Sequence, residues 1–451
     1  MARILPGVEI QVIKEIVPQQ LHPAGVVGLI GTAEKGPPLK AIPLGGYREL
    51  TGKFGDDTGY SLIKDARLCF LNGVSQVYAV RVEAEGSKAA STTLKNPDGA
   101  KLVGIESKMP GEAGNAIKVG ISEGKAKDTV MLQVTNGVTF EVWDNLSLDP
   151  EGENFLPDLV TENSELISAK DLAKGKPPKN PLPAEGEFEL SGGETAKPKS
   201  KDIESALEML EMEEDVDMVS ACDTWDPKIH ALIDAHCQNM AKEAKNRIGI
   251  GTVGPGEAVE EIAKRTETLA SDRFVVVAPY GVSGAVTGLI SKLNYYESPT
   301  FKSLAGVSEL ETRYTPAQLR ELIKSGILAL EARKGRGIII EKGISTDGEQ
   351  ISVTRVADHA VRGCRNVAEN FIGTLNTPGG RTALREKLTE FFMTMEREDA
   401  IVPSVDGEEP PFLVDVYSSE LDFAQGIVRA DIAVRPVRAM DFIYATITVQ
   451  A

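Results

Sequence analysis

With 451 residues, 41% of them hydrophobic, the chain has material for about two to four packed domains, which excludes wholesale disorder. A net charge of −18 argues against a nucleic-acid binder or a ligand of anionic membranes, because both need clustered Lys and Arg. Four cysteines cannot build a disulfide scaffold, no apolar run approaches the roughly 20 residues of a membrane span, and "MARILPGVEIQVIK" lacks a signal-peptide core, so a reduced, cytoplasmically made, soluble protein is expected.

Residues 1–17 open with an alternating stretch in which Val8, Ile10 and Val12 share one face, the pattern of a strand. "AGVVGLIGTAEKGPP" (24–38) reads as a buried strand and turn, "YRELTGKFGDD" (47–57) and "YSLIKDARLCFLNG" (60–73) as helices, and "SQVYAVRVEA" (75–84) as a strand. From about 86 to 195 helical periodicity gives way to short alternating runs such as "IKVGIS" and "TVMLQVTN", with a Pro- and Lys-rich loop at 169–187. This block is expected to be an all-β insertion. Helix and strand then alternate from 202 to 346, as right-handed crossovers over a parallel sheet require. "TRVADHAVRGCRNVAENFIG" (354–373) and "TALREKLTEFFMTM" (382–395) are amphipathic helices. The strands "PFLVDVYSS" and "QGIVRADIAVRPV" follow. The chain closes on "DFIYATITVQA" (441–451), where Ile443, Ala445, Ile447 and Val449 alternate with polar residues in a final strand.

Catalytic and ligand motifs are hard to find. "GTAEKGPP" (31–38) has phosphate-loop glycine spacing, but Pro37 and Pro38 stand where Lys and Ser or Thr would contact phosphate and Mg²⁺. "GIGTVGPGEAVEE" (249–261) lacks the dinucleotide glycine order. Cys222, His230, His236 and Cys237 form the one Cys/His cluster, without the paired spacing of a zinc site. No histidine neighbours a nucleophile-elbow serine. The expectation is therefore no catalytic residue, metal or cofactor. On helix 354–373, Arg355, His359 and Arg362 form a basic face, read either as solvated or as a contact with an acidic partner. Arg381, Arg385 and Lys387 are the matching candidates on the next helix.

Several stretches in order resemble the contractile tail sheath family of bacteriophages, R-type bacteriocins and related injection systems. They are "LPGVEI" (5–10), "VGLIGTAEKGP" (27–37), "FLNGVSQVYAVRV" (70–82), "MPGEAGNAIKVGI" (109–121), "KGISTDGEQISVTRVADHAVRGCRNVAENFIG" (342–373) and "VRPVRAMDFIYATITV" (434–449). The resemblance implies an α/β fold with a central parallel-sheet domain, subtilisin-like but non-catalytic, an inserted all-β domain, and an α+β C-terminal domain with strand exchange between subunits. The expected division is an N-terminal linking strand in 1–20, a body in 21–85 and 196–346, an outer β-domain in 86–195, a tube-proximal domain in 347–440 and a C-terminal linking strand in 441–451. The implied partners are other copies of the chain in stacked rings, an inner tail tube, and baseplate and terminator proteins. Direct nucleic-acid contact and membrane insertion are not implied. The implied setting is a virion tail or injection particle, assembled in the host cytoplasm, that contracts to drive the tube through an envelope. The competing readings are an α/β hydrolase or nucleotide-binding enzyme with a β-insertion, and a non-contractile oligomer such as a tail tube or terminator.

Overall fold

The computed structural model describes residues 25–56, 59–137, 139–152, 154–173 and 180–444. The terminal stretches that carry Val8, Ile10, Val12, Ala445, Ile447 and Val449 lie outside them.

The chain begins with β1 (Val26–Gly31), β2 (Ile42–Leu44), α1 (Tyr47–Phe54), α2 (Ser61–Leu71) and β3 (Gln76–Arg81). It then leaves this layer for β4 (Ser91–Lys95), β5 (Lys101–Ser107), β6 (Lys118–Glu123), β7 (Val130–Thr135), β8 (Phe140–Leu146), α3 (Leu156–Asn163), β9 (Ile167–Asp171) and β10 (Gly186–Glu189). On its return it forms α4 (Ser200–Glu211), β11 (Met218–Ala221), α5 (Pro227–Lys242), β12 (Ile248–Thr252), α6 (Val259–Thr268), β13 (Phe274–Ala278), α7 (Ser283–Lys292), α8 (Pro316–Lys324), β14 (Ile327–Arg333) and β15 (Gly337–Ile340). The last unit is α9 (Ile351–Glu369), α10 (Pro378–Arg397), β16 (Phe412–Tyr417), α11 (Glu420–Ala424) and β17 (Arg429–Val434).

Eight strands form the main sheet, in the order β15-β14-β13-β12-β11-β1-β3-β2. The six central strands are parallel, and β15 and β2 close its two edges antiparallel. "VVGLIG" and "FVVVA" are buried at every position, as strands covered on both faces must be. "KGRGIIIEKGIST" thus supplies an antiparallel edge strand instead of a further parallel one. The segment between β3 and α4 folds into two antiparallel sheets, β10-β6-β7-β8 and β4-β5-β9, around its own core of Leu94, Ile105, Val119, Leu132, Val134 and Leu146. It is not all-β as expected, because α3 packs Leu156 and Val160 into that core.

Helix α7 has no exposed face: residues 283–291 are all buried, the Ser283, Thr287 and Ser291 stripe included. It lies against α2 at backbone distance, because a Cβ on Gly284 would sit 2.6 Å from the Asp65 carbonyl oxygen and one on Gly288 2.7 Å from that of Cys69. Asp65 is 3% exposed, its Oδ2 has no hydrogen-bond partner, and burial pushes its carboxyl up to about 6 against the pull of the Lys64 ammonium. The folded carboxyl keeps its proton to higher pH than the unfolded one at 3.8. Its contribution is fully present below about pH 4 and is lost as pH rises through about 6. At pH 7 the buried charge costs about 3 kcal/mol, at roughly 1.4 kcal/mol per unit. Asp65→Asn is expected to raise the melting temperature at pH 7.5 and to leave it nearly unchanged at pH 4. Melts at both values check this, and an effect independent of pH would refute it.

Candidate inter-subunit surface

Helix α9 docks on the amino edge of the parallel sheet. Two features supply partners there: the residues that enter β11, β12 and β13, and the end of α7. Arg355 is buried and donates to the carbonyls of Leu293 (2.9 Å) and Asn294 (3.1 Å), so its guanidinium caps the C-terminus of α7. His359 stacks on Tyr295 with ring centroids 3.7 Å apart, and burial lowers its imidazole to about 4, so it is neutral at pH 7. Arg362 pairs with Asp217 and donates to the carbonyls of Val216 (3.1 Å) and Asn246. The Arg273 guanidinium donates to both carboxylate oxygens of Asp358 (3.2 and 2.9 Å), and Asn246 adds a third donor at 2.6 Å.

The face of α9 expected to be solvated or turned to another chain is instead satisfied within this chain. Arg355, His359 and Arg362 meet the body's own carbonyls, a tyrosine ring and a carboxylate, and a partner would first have to displace these. The opposite side of α9 packs on α10 and the β16–β17 hairpin through Val356, Ala360, Phe392 and Met395. The helix is therefore covered on two sides, although Val361 remains exposed. On α10, Arg381 donates to Asn376 Oδ1 (2.7 Å), Lys387 to Glu390 (3.0 Å), and Arg385 is exposed.

The hairpin β16–β17 pairs Phe412 with Val434, Val414 with Ile432 and Val416 with Ala430. Phe412, Val414, Ile432 and Val434 face the helices. Leu413 and Tyr417 point outward and are exposed, Tyr417 donating to Asp431 (3.0 Å). This sheet has two strands, and neither outer edge pairs with another strand among the described residues. Ile443 is 82% exposed and belongs to no strand.

At the opposite, carboxyl edge of the main sheet lies a cleft of about 450 Å³ lined by Thr32, Ser61, Lys197, Cys222, Asp223 and Trp225, among others. The Thr32 and Ser61 hydroxyls are bonded to each other at 3.2 Å, and Lys197 lies 4.2 Å above the Trp225 ring. No described histidine lines it. In the turn after β1, the Arg81 guanidinium donates to the carbonyls of Ala33 (3.2 Å) and Gly36 (3.0 Å), so that loop presents carbonyls to a cation. His230 bonds the Thr224 carbonyl and His236 bonds Arg247, so the two histidines of the Cys/His cluster serve different partners. Burial raises the Cys237 thiol to about 12. Among the described residues no group of three or more His, Cys, Asp or Glu is placed to hold a metal ion. No described helix is long and apolar enough to cross a membrane.

The profile of the phage tail sheath protein central domain matches residues 196–346, and that of the phage tail sheath C-terminal domain matches residues 345–450. Together they span more than half of the chain. The chain belongs to the phage tail sheath family. Its fold is similar to that of a sheath tail protein from Desulfitobacterium hafniense (TM-score 0.65, 16% identity, covering 91% of this chain and 93% of that one). It is also similar to the helical sheath of the anti-feeding prophage in its contracted state (TM-score 0.59, 14% identity, 99% of each chain). A third match is the contracted sheath of the PVC extracellular contractile injection system (TM-score 0.60, 12% identity, 99% of this chain and 98% of that one). No curated protein matches the chain. At these identities the likeness is one of fold, a mixed α/β architecture with one largely parallel sheet and several smaller ones.

Proposed function

We propose that this tail sheath family member polymerises around an inner tube and contracts to drive that tube through a target envelope. The observation that carries the reading is the β16–β17 hairpin, a two-stranded sheet whose outer edges pair with no other strand among the described residues and whose outer face exposes Leu413 and Tyr417. Such an edge is a template for strand addition. The alternating sequences at 4–13 and 441–451 have the apolar–polar pattern that would fill such an edge as strands donated by neighbouring copies. In this reading the main sheet is a non-catalytic, subtilisin-like body, the segment between β3 and α4 faces outward, and the unit from α9 to β17 faces the tube. Arg385 and the neighbouring Arg381 and Lys387 on α10 are the candidate tube contacts, with baseplate and terminator proteins at the ends of the particle. Energy stored in an extended lattice is released as larger interfaces form, a population shift between two packings that needs no nucleotide.

Deletion of 441–451 tests it. The truncated chain is expected to keep the circular dichroism of the full chain but to form no long hollow cylinders in negative stain. Normal cylinders from the truncated chain would refute the linking role. Discrete small particles from the intact chain would sink the sheath reading itself.

A further inference from the structure

The two ends of the described chain are each held by a side chain that is on, or is paired with, α9. At the amino end, Asp217 Oδ2 accepts from the backbone N–H of Gly25 (2.5 Å) and Val26 (3.3 Å), while the Asp217 N–H donates to the Val26 carbonyl (2.9 Å). The other carboxylate oxygen is held by Arg362 of α9. Gly25 has φ +106°, and a Cβ there would lie 2.4 Å from the Ser291 carbonyl oxygen, so the backbone enters the sheet through one narrow point. At the carboxyl end, the side-chain amide of Gln350, the N-cap residue of α9, pairs with the Ala439 backbone in both directions (2.9 and 3.1 Å). The same amide donates to Asp441 Oδ2 (2.8 Å), and Lys342 lies 3.5 Å from that carboxylate. Arg438 adds a bidentate pair with Glu349 (2.8 and 2.9 Å).

We propose that Asp217 and Gln350 are positioning residues for the two terminal segments, and that both act through α9. Chain ends fray unless something ties them down. Here each root is tied by a side chain that belongs to none of the apolar clusters, and one tie is a charge-assisted contact of the stronger kind. Gln350 and Arg362 lie about 18 Å apart along the helix, at about 1.5 Å per residue. Arg355, Asp358 and Arg362 lock that helix to the sheet. Tension on either terminal segment therefore passes into α9 and the parallel sheet and bypasses the two-stranded hairpin. This mechanical consequence rests on the reading of the terminal segments as links between subunits; the positioning roles do not.

Hydrogen–deuterium exchange on the unassembled full-length chain tests the proposal. Asp217→Ala is expected to speed exchange at Gly25 and Val26 roughly tenfold and to leave 435–444 unchanged. Asp217→Asn keeps an oxygen acceptor for Gly25 and is expected to restore part of that protection, a readout that general loosening would not produce. It also serves as the informative variant if the alanine form does not fold. Gln350→Ala is expected to speed exchange at Ala439 and to leave Gly25 and Val26 unchanged. The proposal fails if either alanine variant leaves its own end within twofold of the parent. It also fails if each variant loosens both ends together with β12 and β13. Because exchange is read without assembly, failure here leaves the polymerisation reading intact, and failure of the truncation test leaves this one intact.

Discussion

Asp358→Ala is expected to destabilise the chain by about 3–5 kcal/mol, the usual range for removing one partner of a buried ion pair. The Asp358 and Arg273 side chains are 11% and 12% exposed, so solvent screens the pair little. The substitution strands the Arg273 fork and the Asn246 amide, and the Oδ1 of Asn246 already lacks a partner. The loss is a desolvation penalty more than the net worth of the pair. The paired change Arg273→Met with Asp358→Leu is therefore expected to recover much of it. Because the pair fastens α9 to the sheet, calorimetry of Asp358→Ala should show the unit from α9 to β17 melting as a separate, earlier transition. A single transition at the parent temperature would contradict this account.

The elements that the sequence discloses are those with one apolar face or none polar. "SQVYAVRVEA" holds β3, "RFVVVAPYG" holds β13, and the two amphipathic runs after residue 350 hold α9 and α10. Helix α7 is silent to such a search because it is buried all round and carries Gly284 and Gly288 for contact with α2, not for helix propensity. The candidate surface is legible in part. The hairpin's alternation is plain in "FLVDVY" and "RADIAV", where every second residue of β16 turns inward. The destination of Arg355, His359 and Arg362 is not, because a basic stripe on a helix looks the same whether it meets water, a partner or the chain's own carbonyls. What decides it is the amino edge of the sheet, where the Val216, Asn246 and Leu293 carbonyls and the Asp217 carboxylate converge from segments far apart in sequence. Periodicity carries no record of that convergence. Asp217 and Gln350 are invisible for the same reason, since their partners lie 192 and 89 residues away.

Phe392→Ala is expected to cost a further large amount, about 3–5 kcal/mol for a fully buried aromatic truncated in a packed site. Phe392 is 0% exposed and stands between α9 and the hairpin, with ring centroids 5.1 Å from Phe391 and 5.4 Å from Phe412. A two-stranded hairpin is marginal by itself in water, so β16 and β17 depend on this packing for their order. The loss should therefore fall locally. Amide exchange across Phe412–Tyr417 and Arg429–Val434 is expected to accelerate, while the parallel strands keep their protection. If neighbouring copies add strands to this hairpin, Phe392→Ala should also suppress polymer in sedimentation, even though residues 441–451 are intact. Truncation of the terminal strand and loosening of its acceptor would then produce the same assembly defect from opposite sides of one contact. Rapid hairpin exchange with undiminished polymer would show that assembly does not use this edge, and unchanged exchange would show that α10 is not what holds it.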